Sequence, residues 1–385
     1  MSDAGVDTAA APTAGMAERD RRAVLWLCCA AVCWRWLVGR HTPMPDTTTC
    51  EQLWLARQLA ARDFAVLAGE WWRALPALLL APLLAVGAPA VASAKVLAAL
   101  AGGLAVAPAA LAAERLRQGA GVGAAVVVAV AGAAVLGAGG GAPSATASLL
   151  IALALWAAAA RRWSIGVLLG AVAAPQLIGE AGARSWWQAW LVLGPAVATL
   201  PWLLLRPRSW AFAVPAAALA SGVVVGLLRG DLPTAGAAVA PALGVLVGVV
   251  LARLGRWWRD GVLCVVVAAQ CHAAWSAVEP SSAVAERILA QYLVGSVLGP
   301  GERLVTDLPR VAWAAGGRPV AMGSAAELRA AVDDVDVGAV VLGGSLAADP
   351  SLRTWLASRF AVVGMSADLE DLAAARHLVV LVRRS

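Results

Sequence analysis

Charged side chains are scarce in this sequence. They make up 14% of its 385 residues, while hydrophobic residues make up 61%; soluble domains have about 25% and roughly 45–50%, respectively. A soluble helical protein of this size needs apolar stripes that are backed by a charged outer face. The long apolar stretches of this chain have no such face. The composition therefore excludes a large soluble helical core.

Histidine and cysteine are also few, and neither indicates a metal centre. The three histidines and six cysteines are scattered without metal-ligand spacing, and no G-x-G-x-x-G loop follows a predicted strand. No resident cofactor is therefore predicted, and a need for a divalent cation is left open. The positive excess behind the net charge of +6 lies in residues 1–280. There it sets membrane orientation and does not indicate nucleic-acid binding.

Long apolar stretches are the dominant feature that is present, and they fill residues 23–277. One helical crossing of a bilayer needs ~20 apolar residues. Several stretches are nearly free of charge and long enough to cross: Gly121–Gly140, Ser144–Ala160, Trp186–Leu204, Trp210–Leu228 and Gly236–Leu254. The predicted fold class is a polytopic α-helical membrane protein, whose first partner is the lipid bilayer.

The arginine positions predict the orientation of the chain. Short loops rich in arginine stay cytoplasmic, and arginine pairs recur at Arg115/Arg117, Arg161/Arg162, Arg206/Arg208 and Arg256/Arg259. The amino terminus, with three arginines before residue 23, belongs on the same side. These assignments agree only if one apolar segment fails to cross, and Ala74–Ala92, with three prolines, is the candidate. The sequence predicts about nine crossings and one re-entrant segment, with the carboxy terminus outside.

Three regions follow from this reading. Residues 1–20 are predicted to be a disordered cytoplasmic tail, residues 21–280 a transmembrane domain with a first outer loop at 40–73, and residues 281–385 a small extracytoplasmic α/β domain. Within the last, a helix is predicted at Ala283–Leu298, a strand from Arg303, further strands at Arg318–Met322, Val337–Leu342, Ala361–Gly364 and His377–Val382, and helices at Ala325–Val332 and Pro350–Phe360. This alternation favours a parallel or mixed sheet.

The first outer loop contains the most suggestive carboxylate of the chain. Asp46 follows a proline and precedes three threonines, and an amphipathic pattern then runs through Glu51, Leu55 and Leu59. A carboxylate at such a helix start accepts backbone N–H bonds as a cap, or it serves in a site that faces the membrane surface. The residues alone leave both interpretations open.

The same loop resembles that of a known enzyme family. The matching residues are Pro45-Asp46, Ala56-Arg57-Gln58-Leu59-Ala60, Asp63-Phe64, Trp72-Arg73 and Pro76-Ala77-Leu78-Leu79. This pattern is similar to the family-39-type membrane glycosyltransferases, which have a C-type fold, depend on polyprenyl-phosphate sugars, and include relatives of protein O-mannosyltransferases and lipid A aminoarabinose transferases. The likeness extends in outline over residues 20–185. A passage from Thr306 to Gly317 is similar to one in the tails of these enzymes, and Asp307 and Arg310 within it are expected to pair at a helix start.

The resemblance implies an inverting glycosyltransferase at the outer face of a bacterial plasma membrane. It implies that Asp46 acts as general base on the acceptor hydroxyl, and that outer-side arginines hold the phosphate of the polyprenyl donor. The substrate-binding candidates are Arg57, Arg73, Glu180, Arg184, Glu51 and His41. The partners implied are a polyprenyl-phosphate-linked sugar and an acceptor that is a glycan, a lipid or a protein.

Two alternatives to an active enzyme remain. The family commonly has Asp-Glu where this chain has Asp46-Thr47, and the loop Gly139–Ser144 lacks the second acidic residue that the family places there. These departures favour a catalytically inactive relative that binds the lipid carrier as a scaffold. A transporter is the third hypothesis. Inverted repeats or charges within crossing helices would favour it, but no repeat is apparent and Arg35 and Lys95 are the main intramembrane charges.

Overall fold

The structure is a computed structural model that describes residues 16–41, 47–67, 74–131, 142–182, 215, 218–220, 232–276, 281–299, 302–315, 318–319, 325–334, 336–375 and 378–383. Two of the predicted crossings, Trp186–Leu204 and Trp210–Leu228, lie outside these residues apart from 215 and 218–220. The total number of crossings therefore stays a prediction.

The apolar part of the chain is helical over its described residues. Its helices are α1 Glu18–His41, α2 Thr47–Ala60, α3 Leu75–Ala85, α4 Ala90–Leu104, α5 Val106–Leu116, α6 Gly121–Val130, α7 Ala142–Ala159, α8 Trp163–Gly182, α9 Leu232–Leu251 and α10 Arg256–Ser276, with a 3₁₀ turn at Ala65–Leu67. Three segments of this described part are long and apolar enough to cross a membrane: α1, the continuous pair α4–α5, and α7.

Two described helices are shorter than one crossing. Helix α3 has 11 residues and spans about 16 Å, which is roughly half of the ~30 Å hydrocarbon layer. It lies within the segment predicted to be re-entrant. The predicted crossing at Gly121–Gly140 is described only as far as Ala131, and the helix α6 within it ends at Val130, because Ala131 leaves the helical conformation.

Small residues bring the helices into close contact. A Cβ at Gly248 of α9 would lie 2.7 Å from the backbone N of Ala124 and 2.8 Å from the carbonyl O of Ala120, both next to or within α6. A Cβ at Gly244, one turn earlier on α9, would collide with the side chain of Val128. Glycines four residues apart let two membrane helices approach closely. Helices α6 and α9 are therefore packed backbone to backbone.

Arg35 is buried in this bundle, with 1% of its surface exposed. Its Nη2 donates a hydrogen bond to the carbonyl O of Val128 at 2.9 Å, and its side chain lies against Gly102 of α4. The last four carbonyls of any helix have no partner within that helix. Val128 is near the end of α6, so Arg35 of α1 satisfies one of these carbonyls. An arginine inside a membrane bundle faces the protein interior, as here.

The carboxy-terminal residues form a five-stranded mixed sheet, which confirms that prediction. Its elements are α11 Ser281–Tyr292, a π turn at Leu293–Val297, β1 Arg303–Thr306, α12 Pro309–Ala315, β2 Arg318–Pro319, α13 Ala325–Asp334, β3 Val337–Leu342, α14 Gly344–Ala348, α15 Pro350–Ala357, β4 Phe360–Val362, α16 Ala367–Ala375 and β5 Val379–Arg383. The strand order is β2-β1-β3-β5-β4. Strands β2, β1 and β3 are parallel, whereas β5 is antiparallel to both β3 and β4.

Both faces of this sheet are covered. Helices α11 and α12 pack on Leu304, Ala339 and Val341, while α13 and α15 pack on the opposite face, against Val305 and Val340. All six residues of β3 are buried, as expected for a central strand with helices on both sides. Strand β3 has the predicted bounds. The helix predicted at Pro350–Phe360 was too long, because Phe360 begins β4.

Candidate functional site

Helix α2 of the first loop lies between the membrane bundle and the carboxy-terminal domain. Its apolar face, which includes Leu53, Ala56 and Leu59, packs with Leu80 and other residues of α3. The same apolar cluster includes Trp313 of α12. The predicted amphipathic helix is therefore present, and the carboxy-terminal domain contacts it directly.

A cation–π contact between Arg57 and Trp313 joins these two parts. The Cζ of Arg57 lies over the Trp313 ring, 3.7 Å from its centroid, which is well within the range of a cation–π interaction. Arg57 makes no hydrogen bond or ion pair with any described residue. Partial burial lowers the pKa of its guanidinium, but an arginine stays cationic at neutral pH. The guanidinium of Arg57 is therefore a positive charge whose N–H donors are bonded by none of the described residues.

The start of α2 is tied to the membrane bundle by Thr49. Its Oγ1 accepts a hydrogen bond from the backbone N of Ala142, the first residue of α7, at 3.1 Å. Thr49 is itself buried. Asp46 directly precedes Thr47, the first residue of α2, in the sequence.

The other predicted site residues fall into two groups. Glu51 is on α2 and is half-buried, with its Oε2 enclosed, and His41 is the exposed last residue of α1. Glu180 belongs to α8, but its side chain lies outside the description. Asp46, Arg73 and Arg184 lie outside the described residues altogether. The structure thus brings Glu51 and Arg57 onto one helix.

Helix α12 is anchored to the sheet at its start. The Oδ1 of Asp307, just after β1, accepts the backbone N–H of Gly343 at the end of β3, at 2.8 Å. Arg310 forms an ion pair with Glu286 of α11 at 3.6 Å. The expected pair between Asp307 and Arg310 was wrong, because the carboxylate turns to the neighbouring strand. These contacts fix the helix that presents Trp313 to α2.

Asp307 is 6% exposed, and this burial raises the pKa of its carboxyl from 3.8 to about 6. The folded protein therefore binds a proton at this site more tightly than the unfolded chain does. The stability that this provides is fully present below about pH 4 and is lost as the pH rises through about 6. The full difference corresponds to roughly 3 kcal/mol of unfolding free energy.

We expect Asp307→Asn to raise the melting temperature of the full-length protein at pH 7.5 by several degrees, and to change it little at pH 4.5. Differential scanning fluorimetry in detergent measures both. The control is Asp349→Asn. Hydrogen bonding by Ser351 lowers the pKa of the Asp349 carboxyl, so this control has no reason to stabilise the protein at pH 7.5. Equal stabilisation by both variants contradicts the prediction.

Within the described part of the chain, no group of three or more histidine, cysteine, aspartate or glutamate side chains is placed to hold a metal ion. The described site offers a stacked arginine, a half-buried carboxylate and an apolar surface. Such a combination suits a ligand with an anionic group and a lipid tail.

The whole fold is similar to that of known membrane proteins. Neither a protein family nor a curated protein sequence matches this chain. Among solved structures, ArnT from Cupriavidus metallidurans in the apo state matches with a TM-score of 0.54 and 15% identity, over 93% of this chain and 97% of that one. ArnT from the same organism bound to undecaprenyl phosphate matches with a TM-score of 0.53 and 15% identity over the same shares. The chain therefore has the polytopic membrane fold of ArnT, and the fold implied by the resemblance is confirmed.

Proposed function

We propose that this protein is an inverting glycosyltransferase of the bacterial plasma membrane. It transfers a sugar from a polyprenyl-phosphate donor to an acceptor at the outer face. The observation that carries the proposal is the match to ArnT along nearly the whole of both chains, one of those structures being bound to undecaprenyl phosphate. Arg57 is stacked on Trp313, and its N–H donors have no partner among the described residues, which supports the same donor class.

The reaction follows from the residue types at this site. Asp46 takes the proton of an acceptor hydroxyl, whose oxygen then attacks the anomeric carbon of the sugar from the face opposite the phosphate. The bond between that carbon and the phosphate oxygen breaks, and polyprenyl phosphate leaves with the bonding electrons. Arg57, with Arg73 and Arg184, stabilises the leaving phosphate through charge-assisted hydrogen bonds. Glu51, Glu180 and His41 orient the sugar or the acceptor.

The proposal includes an arrangement in the membrane. About nine crossings place residues 1–20 in the cytoplasm, and residues 40–73 and 281–385 outside. The contact between Arg57 and Trp313 supports the last point, because it requires the first loop and the carboxy-terminal domain to share one side. A reporter fused after Ser385 should read as extracytoplasmic, while one fused before α1 should read as cytoplasmic. A cytoplasmic reading at Ser385 contradicts the arrangement.

A catalytically inactive carrier-binding scaffold is the second candidate. It is favoured by Thr47, which stands where the family commonly has a glutamate, and by the absence of an acidic residue in the sequence Gly139–Ser144. In this case the protein binds polyprenyl phosphate and transfers nothing.

Transfer by the native protein separates these candidates. Purified protein in nanodiscs is given undecaprenyl-phosphate donors that carry labelled pentoses or hexoses, together with a membrane extract as the acceptor source. An active enzyme moves the label to a new product and releases undecaprenyl phosphate. Binding of undecaprenyl phosphate without transfer from any donor supports the scaffold. Neither binding nor transfer overturns both candidates.

A further inference from the structure

We infer that Trp313 of the carboxy-terminal domain is a positioning residue for the lipid phosphate: it fixes the Arg57 guanidinium so that the N–H edge of this group binds the phosphate of the polyprenyl carrier. The inference rests on the proposed function, since it assigns a role within the same site. It concerns a residue of the carboxy-terminal domain, to which the sequence assigns no chemistry.

The stacking contact leaves the arginine free to bind an anion. The Cζ of Arg57 lies 3.7 Å from the ring centroid, which is too close for an N–H group to point into the ring, so we infer that the guanidinium has its flat face against the indole. Its five N–H donors lie in the plane of the group and point away from that contact. A planar guanidinium recognises phosphate through two parallel N–H bonds from this edge. Stacking and phosphate binding therefore use different parts of the same group.

The carboxy-terminal domain contains a second arginine that is stacked on a tryptophan, and the N–H groups of this arginine do have a partner. Arg359 lies over the Trp355 ring at 4.7 Å, and its Nη1 is bonded to the carboxylate of Asp333. Arg57 has the closer ring contact, yet its donors have no partner among the described residues. The N–H edge of Arg359 is bonded to a carboxylate inside the domain. The N–H edge of Arg57 is bonded to none of the described residues, and we infer that it binds a ligand.

The surroundings favour a phosphate that is attached to a lipid. Helix α3 packs against α2 and exposes Leu78, Leu79 and Leu83. A cationic edge on α2 and exposed leucines on the helix packed against it match an anionic head group with an isoprenoid chain. Holding the guanidinium in advance matters because a mobile arginine side chain loses rotamer entropy when a ligand immobilises it, and prior ordering reduces that cost on binding.

The ring is fixed by the carboxy-terminal domain itself. Helix α12 is held by the Asp307–Gly343 hydrogen bond and the Arg310–Glu286 ion pair, and Trp313 packs into the apolar cluster of α2 and α3. The domain thus completes the phosphate site instead of lying apart from it. Removal of the indole leaves Arg57 in place but free to move.

The test measures undecaprenyl phosphate binding to the full-length protein in nanodiscs, without any catalytic step. Trp313→Leu is expected to weaken binding about tenfold, which corresponds to about 1.4 kcal/mol and lies within the range of cation–π contacts. Trp313→Phe keeps an aromatic face and should restore most of the affinity. Arg57→Gln should weaken binding at least as much, and the double variant should add little to it, because the two residues act as one unit.

The controls separate a lost phosphate contact from damaged packing. Undecaprenol, which lacks the phosphate, should bind all variants equally, and inorganic phosphate should compete weakly with the lipid. Trp355→Leu breaks the other stacked pair of the domain and should leave affinity unchanged. The inference is overturned if Trp313→Leu binds like the native protein, if Trp355→Leu is equally weakened, or if undecaprenol binding falls with it. Native binding without transfer removes the proposed reaction but leaves this inference intact.

Discussion

Replacement of Asp46 with asparagine is expected to lower the rate of sugar transfer by about 10²–10⁴-fold, which is the usual contribution of a general base. The substitution also separates the two interpretations of this carboxylate. Asparagine caps a helix about as well as aspartate does, so Asp46→Asn preserves a cap but removes the base. Loss of transfer with an unchanged melting temperature therefore identifies the base.

The matched control for this experiment is Asp63→Asn. Asp63 is an exposed carboxylate near the end of the same loop, and its Oδ1 accepts the backbone N–H of Ala65 at 3.2 Å within a local turn. Its replacement should keep the rate of sugar transfer within about twofold of the native rate, as expected for a surface residue away from the site. Transfer at the native rate by Asp46→Asn would remove Asp46 from the mechanism, and a cap would then be its remaining role.

Gly248→Ala is expected to destabilise the membrane bundle strongly. The added methyl group meets backbone atoms of α6 and the Cβ of Ala124 at 2.7–2.8 Å, and backbone cannot move aside as a side chain does. Helices α6 and α9 must separate, at a cost of about 1–3 kcal/mol or more. Fluorescence-detected size-exclusion chromatography after heating measures the resulting loss of folded protein.

Gly123→Ala is the control, because it adds the same methyl group to the same interface. A Cβ at Gly123 would find its nearest neighbour, the Cα of Gly248, at 3.6 Å, which is an ordinary van der Waals contact. This variant should melt within about a degree of the native protein. Equal destabilisation by both variants would show that the interface does not depend on the close approach at Gly248.

Most helices and strands of this fold could be predicted from the sequence, because each depends on residues that are close together in the chain. Strand β3 has its predicted bounds, and α7 differs by two residues at its start, since apolar runs and alternating patterns depend on neighbouring residues. A helix start was expected at Asp307 and Arg310, but the end of α12 was not predicted, because its seven residues are too few to show a helical period. The Gly244–Gly248 pair was also missed, since its partners on α6 lie far away in the chain.

The candidate site was predicted only in part. Arg57 was recognised from the loop resemblance, but its partner Trp313 lies in another domain, and no local pattern connects the two. The sequence predicts no nucleotide-binding loop at Gly343-Gly344, which follow β3, because G-x-G-x-x-G is missing. In the structure, the N–H of Gly343 is used by Asp307, and the side chain of Leu308 fills the space beside it. Such pairings depend on tertiary structure and therefore cannot be derived from spacing alone.

The contact between α6 and α9 has a consequence for biosynthesis. Gly248 is made long after Ala124, and a ribosome needs on the order of ten seconds to produce the chain between them. During that interval the positions of α6 that meet Gly244 and Gly248 are without their partner helix. We expect a chain that stalls before residue 232 to lack this contact, so that α6 is then packed only against helices made before it.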